Sequence, residues 1–160
     1  MKNKFISLIL ALCLCVPFVP VSAATNTANY DESNAITLSK TLNIMVGDEN
    51  GDMHLDSFVS RAEFTKIAVA MSQYRNMVPT SGTKSVFTDC TFRHWASPYV
   101  RVAVTNGMMN GYPDGTFRPD NTVLLEEAAT VMLKLLGYTT DDFGTSWPYG
   151  QIGIATNAHV

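Results

Sequence analysis

The sequence predicts an all-α protein built from repeated helix–loop–helix units. Three observations carry that prediction. Residues 107–119, GMMNGYPDGTFRP, read as a structured loop between two helical runs. A shift of 64 residues lays 47–56 over 111–120 without a gap. Ser60 and Glu63 stand in the S-x-x-E spacing of a helix capping box, directly before a run of apolar residues at helical spacing.

The loop explains itself residue by residue. Gly107 is a helix stop, because glycine takes the left-handed conformation at no steric cost. Tyr112-Pro113-Asp114-Gly115 is a turn, and Phe117 is its apolar anchor. Arg118-Pro119-Asp120-Asn121 is polar and helix-breaking, and a second helical run begins near Val123. In the earlier copy Gly47 meets Gly111, Gly51 meets Gly115, Asp56 meets Asp120, Val59 meets Val123 and Glu63 meets Glu127. Met53 stands where Phe117 stands, so the anchor is kept. A period of this kind marks a repeat architecture.

The chain begins with a targeting segment. Lys2 and Lys4 precede an apolar run over 5–16, Pro17 and Pro20 break it, and Val21-Ser22-Ala23 offers small residues for cleavage before Ala24. The run is shorter than the roughly 20 residues a membrane-spanning helix needs. Residues 1–23 are therefore expected to be a signal peptide, leaving no stable membrane span after cleavage. The mature chain then holds 9 basic and 14 acidic residues, a formal charge of −5. That charge, with no basic run, excludes an electrostatic nucleic-acid binder.

In order, 24–32 is a flexible lead-in and 33–72 a first repeat. Its first helix spans about 33–45, with Ile36, Leu38, Leu42, Ile44 and Met45 apolar. Its second helix buries Phe64, Ile67, Ala68 and Met71. Residues 73–85 form a linker broken by Pro79, Ser81 and Gly82. The second repeat covers 86–138, with a helix through Tyr99, Val102, Ala103 and Asn106 and a closing helix over about 124–136. Ala128, Val131, Met132 and Leu135 face inward on that helix, and Gly137 stops it. Residues 139–160 start a third repeat: Trp147 falls 52 residues after Trp95, and no second loop follows. The third repeat is expected to be incomplete, with further domains in a longer parent chain.

Catalytic and metal chemistry find little support. Cys13 and Cys15 leave with the signal, so Cys90 has no disulfide partner in the mature chain and reads as a small buried hydrophobe. Asp48-Glu49-Asn50-Gly51-Asp52 opens like a calcium loop, but Met53 and Val59 occupy the positions that need glycine and an acidic ligand. Glu126 and Glu127 are adjacent on a helix and point apart, a poor acid–base pair. No nucleophile–base order, zinc spacing or phosphate loop is present. The expectation is no enzyme, no cofactor and no metal.

Phe87-Thr88-Asp89, His94-Trp95-Ala96, residues 107–119 and Val59-Ser60-Arg61-Ala62-Glu63 together resemble the S-layer homology domain. The resemblance covers nearly all of the chain from about Ser33 and is strongest at 86–138. It implies helix–loop–helix repeats in a pseudo-trimeric arrangement. It implies a secreted, non-catalytic anchor at the cell surface or cell wall, an S-layer setting. The implied partner is a secondary cell-wall polysaccharide, often pyruvylated, held in grooves between repeats. The competing reading is a structural module that contacts protein partners or copies of itself, with degenerate glycan sites.

The resemblance also suggests site residues. Arg61 can fork a carboxylate, and Trp95 and Trp147 can cover sugar rings. Backbone N–H groups near Gly47 and Gly111 can receive an anion, and Tyr112 divides between groove and scaffold. Ser60 and Glu63 are assigned as a structural cap. Arg61 can equally pair with a neighbouring carboxylate, and Trp95 can be core. In the second repeat, Leu124-Leu125-Glu126 replaces the capping hydroxyl and the arginine, so its groove is expected to lose its carboxylate ligand and to repel anions through Glu126. Arg61 and Trp95 are expected to share one groove.

Overall fold

The computed structural model describes residues 31–80 and 86–158. The expected signal peptide, most of the lead-in and part of the linker lie outside the described residues. The described residues form α1 (Glu32–Thr41), α2 (Arg61–Met71), a 3-10 turn (Arg75–Met77), α3 (Ser97–Thr105), α4 (Leu125–Leu135), α5 (Thr140–Phe143) and α6 (Tyr149–Ala158). There is no strand among them, only an antiparallel bridge between Ser60 and Thr122. The fold class is all-α.

The helix–loop joints match each other bond for bond across the 64-residue offset. Asn43 (φ 57°) and Gly107 (φ 66°) both end a first helix in the left-handed region. Ile44 N–H donates to Ser39 O at 2.9 Å, and Met108 N–H donates to Ala103 O at 2.8 Å. Within the loops, Asp48 N–H donates to Asp52 O and Tyr112 N–H to Thr116 O, each at 2.8 Å. Gly51 and Gly115 sit at φ 80° and 79°, where any side chain would be strained. Turn chemistry, more than helix propensity, therefore sets the shape of both joints.

The second loop is clamped from upstream. Asp89 accepts the N–H groups of Phe117 at 2.8 Å and Arg118 at 2.7 Å. The Phe87 ring lies 5.4 Å from the fully buried Phe117 ring. A Cβ on Gly111 would stand 2.1 Å from the Phe87 ring, so only glycine fits there. The main core joins α2 and α3 with this loop through Ala62, Ala68, Val69, Val100, Ala103, Phe117 and Val131.

Packing differs from the helical reading at three places. Helix α1 ends at Thr41 and has no buried residue, with Leu38 and Leu42 exposed, so its apolar stripe is not a core face. On α2 the buried positions are Arg61, Ala62, Thr65, Ala68 and Val69, while Met71 is half exposed, because α2 packs against both α3 and α4. On α4, Leu133 is fully buried together with Phe143 and Ala155. That helix is covered on two sides, by α2 and by α6, so an inward face drawn on one side misses Leu133.

Candidate functional site

Helix α2 begins as its sequence demands. Ser60 Oγ accepts the Glu63 N–H at 3.2 Å, and the Glu63 carboxylate accepts the Ser60 N–H at 2.8 Å. Helix α4 keeps only the carboxylate half: Glu127 accepts the Leu124 N–H at 3.1 Å, and Leu124 has no hydroxyl to return. This cap fixes the next residue, Arg61, at the first position of α2.

Arg61 does not project into solvent. It is 2 % exposed, and its guanidinium lies 4.7 Å from the Phe117 ring centre and 4.8 Å from that of Tyr112. Nε donates to Phe117 O at 2.8 Å, Nη2 donates to Asn110 O at 3.0 Å, and Nη1 pairs with Glu127 Oε1. Its backbone N–H donates to Asn121 O, and that of Ala62 donates to Pro119 O, each at 2.8 Å. Each guanidinium nitrogen thus has a partner on the second loop or α4, as a buried charge requires.

Tyr112 belongs to the same cluster. Its ring carries Arg61 on one side and Arg118 at 3.9 Å, and its hydroxyl donates to Glu127 at 2.9 Å. Burial, then the hydrogen bond to Glu127, pushes the phenol above its ordinary range. Arg118 is held in turn by Asp114 at 2.8 Å. The Asp114 carboxyl falls to about 2, chiefly through its hydrogen bonds from Thr116 and then Arg118.

Two clefts are built on the same plan among the described residues. The first, about 290 Å³, is lined by Gly47, Asp48, His54, Glu63, Lys66, Ile67 and Trp95. The second, about 190 Å³, is lined by Arg61, Gly111, Tyr112, Glu127, Thr130, Val131, Lys134 and Trp147. Gly47, Glu63 and Ile67 fall on Gly111, Glu127 and Val131 at the 64-residue offset, and Trp95 corresponds to Trp147. Each cleft takes a loop, the helix that follows it and a tryptophan from later in the chain, and the second adds Arg61 from the start of α2. Both tryptophans are half exposed, at 52 % and 57 %, so Trp95 is not simply core. Trp95 stacks on His94 at 5.8 Å and meets Tyr99 edge-on at 6.5 Å, which orients its ring. His94 is itself held by the Ala96 N–H and by Asp120.

The pairing of site residues differs from the expected one. Arg61 lines the cleft with Trp147, Gly111 and Tyr112, while Trp95 lines the cleft with Gly47. The reason is reach: α2 of the first unit docks its N-terminus on the loop of the second, which carries Arg61 past its own loop. The second cleft therefore holds an arginine despite Leu125, and Glu126 is not among its lining residues. Sequence reading missed Lys66 and Lys134. Lys66 falls three residues after Glu63 and Lys134 seven after Glu127, on the cleft-facing side of each helix, which is the signal that could have found them. Lys134 Nζ donates to Gly107 O at 2.6 Å, and burial lowers its pKa.

Cys90 is 1 % exposed and its thiol is pushed up to about 11, by burial first and then by Asp89 and Asp120. It packs in the main core. No cluster of metal-ligating side chains occurs among the described residues, and no described helix is long and apolar enough to cross a membrane.

Comparison with known proteins agrees with the motifs. Residues 87–129 match the family model of the S-layer homology domain. The chain is 27 % identical over 166 residues to the middle cell wall protein of Brevibacillus brevis, covering 99 % of this chain and 16 % of that protein. It is 27 % identical over 165 residues to the surface layer protein of Brevibacillus choshinensis, covering 99 % and 15 %. It is 31 % identical over 78 residues to the cellulosome-anchoring protein of Acetivibrio thermocellus, covering 49 % and 17 %. The chain thus spans about one sixth of the length of these relatives. With the clamped loop and the histidine–tryptophan pair in place, residues 87–129 match the S-layer homology domain, in a chain similar to S-layer and cell-surface proteins.

Proposed function

We propose that the chain is a non-catalytic anchoring module that binds a bacterial cell-wall polysaccharide, at the cell surface, through the clefts between successive units. The observation that carries this reading is the recurrence of one cleft design at two places. Each offers a half-exposed indole beside polar groups on a rigid loop, the usual composition of a sugar site: a flat apolar face with a few fixed hydrogen-bonding partners. A polymer with repeating sugars can occupy both clefts at once, and linked sites raise avidity without new contacts. The polymer is expected to carry ketal-linked pyruvate.

A pull-down on purified cell-wall sacculi tests the proposal. The protein is mixed with sacculi before and after mild acid strips the secondary polymer and its pyruvate. Binding is expected to fall with the polymer and to fall again in Trp95→Ala and Trp147→Ala. Binding that ignores the treatment and both substitutions would overturn the glycan reading.

A second reading has a specific observation in its favour. Phe58 is 88 % exposed and Leu125 is 75 % exposed, both on segments flanking second-helix starts. Exposed large apolar side chains suit protein contact. Under that reading Phe58→Ser and Leu125→Ser abolish association with a protein partner or a second copy and leave sacculus binding intact.

A further inference from the structure

The two loops share a shape but close it with different cations. At the 64-residue offset His54 falls on Arg118, and both stand in the left-handed region, at φ 49° and 57°. Arg118 closes the second loop: Nη2 donates to Asp114 at 2.8 Å, and the guanidinium lies 3.9 Å from the Tyr112 ring centre. An arginine keeps its charge at every working pH, so that closure does not titrate. In the first loop the His54 ring stands between two carboxylates. Nε2 lies 3.3 Å from Asp48 Oδ2, and Nδ1 lies 3.8 Å from Asp52 Oδ2. A carboxylate can only accept, and a neutral imidazole has one N–H. In the neutral ring, one nitrogen therefore turns a lone pair toward a carboxylate. Only the imidazolium turns an N–H toward each.

The rest of the loop is set for that ring. Asp48 Oδ1 accepts the N–H groups of Asn50 at 2.8 Å and Asp52 at 3.0 Å, so the carboxylate is held whatever the ring does. These bonds, that from Asp52 first, keep the Asp48 carboxyl below its ordinary range, so it stays charged wherever an imidazole titrates. The His54 N–H donates to Asp52 Oδ1 at 2.9 Å, which ties the backbone of the ring to the second carboxylate. The other charged groups on this side are Glu63 and Lys66, which line the same cleft from α2, and Lys40 of α1, whose ammonium donates to Gly51 O at 3.4 Å. Among the described residues neither lysine pairs with Asp48 or Asp52, so the imidazolium is the cation that balances them.

We propose that the first loop is closed by a proton: the His54 imidazolium clasps Asp48 and Asp52 on the acid side of the imidazole titration, and the clasp weakens as pH rises through it. The second loop, closed by Arg118, is indifferent over the same range. The sign follows from linkage: the closed loop holds the proton and the open loop releases it, so closure is full at low pH and is lost as pH rises. Gly47, Asp48, Asp52, Met53 and His54 are walls of the first cleft, which is therefore better ordered in acid than in base. The clasp holds whether or not that cleft takes a sugar. The His54 side chain is 58 % exposed, so the clasp is worth about two- to fivefold in the opening equilibrium, as for a surface ion pair.

Amide exchange on the full chain tests this. Protection factors, which remove the intrinsic pH dependence of exchange, are measured by water-exchange NMR at stepped pH from about 5.5 to 8, where an imidazole titrates. The amides read are those of Asp48, Asn50, Gly51 and Asp52 in the first loop and Tyr112, Gly115 and Thr116 in the second. First-loop protection should fall about two- to fivefold as pH rises, in step with the His54 ring-proton shifts, while the second loop stays level. His54→Arg gives the first loop the residue that the second already carries in this conformation, and should hold the acid level of protection at every pH. His54→Gln should show the alkaline level throughout. First-loop protection that ignores pH, an equal response in the second loop, or the same response in His54→Arg overturns the proposal. The last result would hand the response to another group, such as His94 beside Asp120. None of these outcomes bears on the glycan reading, which the sacculus pull-down decides by itself.

Discussion

Arg61 and Glu127 form an ion pair that joins the first turn of α2 to the first turn of α4, with the arginine 2 % and the carboxylate 16 % exposed. The pair explains why an arginine at a helix start, where the dipole disfavours positive charge, is tolerated: α4 supplies a carboxylate and the second loop two carbonyls.

Truncating Arg61 should therefore harm folding before it harms binding. Arg61→Ala takes the guanidinium donors from Phe117 O and Asn110 O and leaves the Glu127 carboxylate, still bonded by Tyr112 and Leu124, without its countercharge. Removing one partner of a buried pair costs about 3–5 kcal/mol. Urea denaturation followed by tryptophan fluorescence measures the loss, and the double change Arg61→Met with Glu127→Leu should recover much of it. A loss below about 1 kcal/mol, the size of an exposed pair, contradicts the burial.

The unequal caps give a paired prediction. Ser60→Ala should cost about 1 kcal/mol, the usual value for losing an N-cap hydroxyl. Leu124→Ser installs the missing hydroxyl at an extended N-cap residue, φ −79° and ψ 149°, and should raise stability by about 0.5–1 kcal/mol. Denaturant midpoints of the two variants should move in opposite directions.

Gly111 tests the clamp on the loop. Its added methyl would meet the Phe87 ring at 2.1 Å and Thr116 O at 2.9 Å. Gly111→Ala should destabilise by about 1–3 kcal/mol through overpacking. Combining it with Phe87→Ala should be less than additive, since the smaller side chain removes the clash; simple additivity in a double-mutant cycle would count against the contact.

Lys134 gives a pH dependence. Burial holds its folded pKa below the unfolded value, so above the folded pKa the native chain binds fewer protons than the unfolded chain. The penalty of burying the ammonium is present while it is charged and is relieved as pH rises through the folded pKa. The stability advantage of Lys134→Met over the parent should shrink across that window, as thermal melts at stepped pH would show.

The readable parts of this fold are local. Gly107, Gly115 and the Ser60–Glu63 cap act over a few residues, so their turn and cap chemistry is visible in the sequence. The 64-residue offset also exposes the kinship of the two loops. The hidden parts are long-range. Arg61 bonds to Asn110, Phe117 and Glu127, 49 to 66 residues away, and no local pattern states that it crosses to the next loop. Leu133 was missed for the same reason: its cover is α6 and Phe143, which arrive later in the chain. Lys134 was hidden among packing residues, because a periodic pattern records where apolar residues fall and not which cleft their polar neighbour reaches.

The bridge between residues 59–62 and 119–123 also closes a loop of chain through hydrogen bonds. Val123 N–H meets Val59 O at 3.0 Å, and the bonds from Arg61 and Ala62 to Asn121 and Pro119 follow behind it. A pull on the backbone outside this pair must open those bonds in series, from Val59 inward, and then extract the guanidinium. Only then does the enclosed chain, close to 200 Å when extended at about 3.4 Å per residue, begin to pay out. The joint is a latch on slack: tension is carried by a few ångströms of hydrogen bonds and one ion pair while α2 and α3, inside the closed loop, stay unloaded.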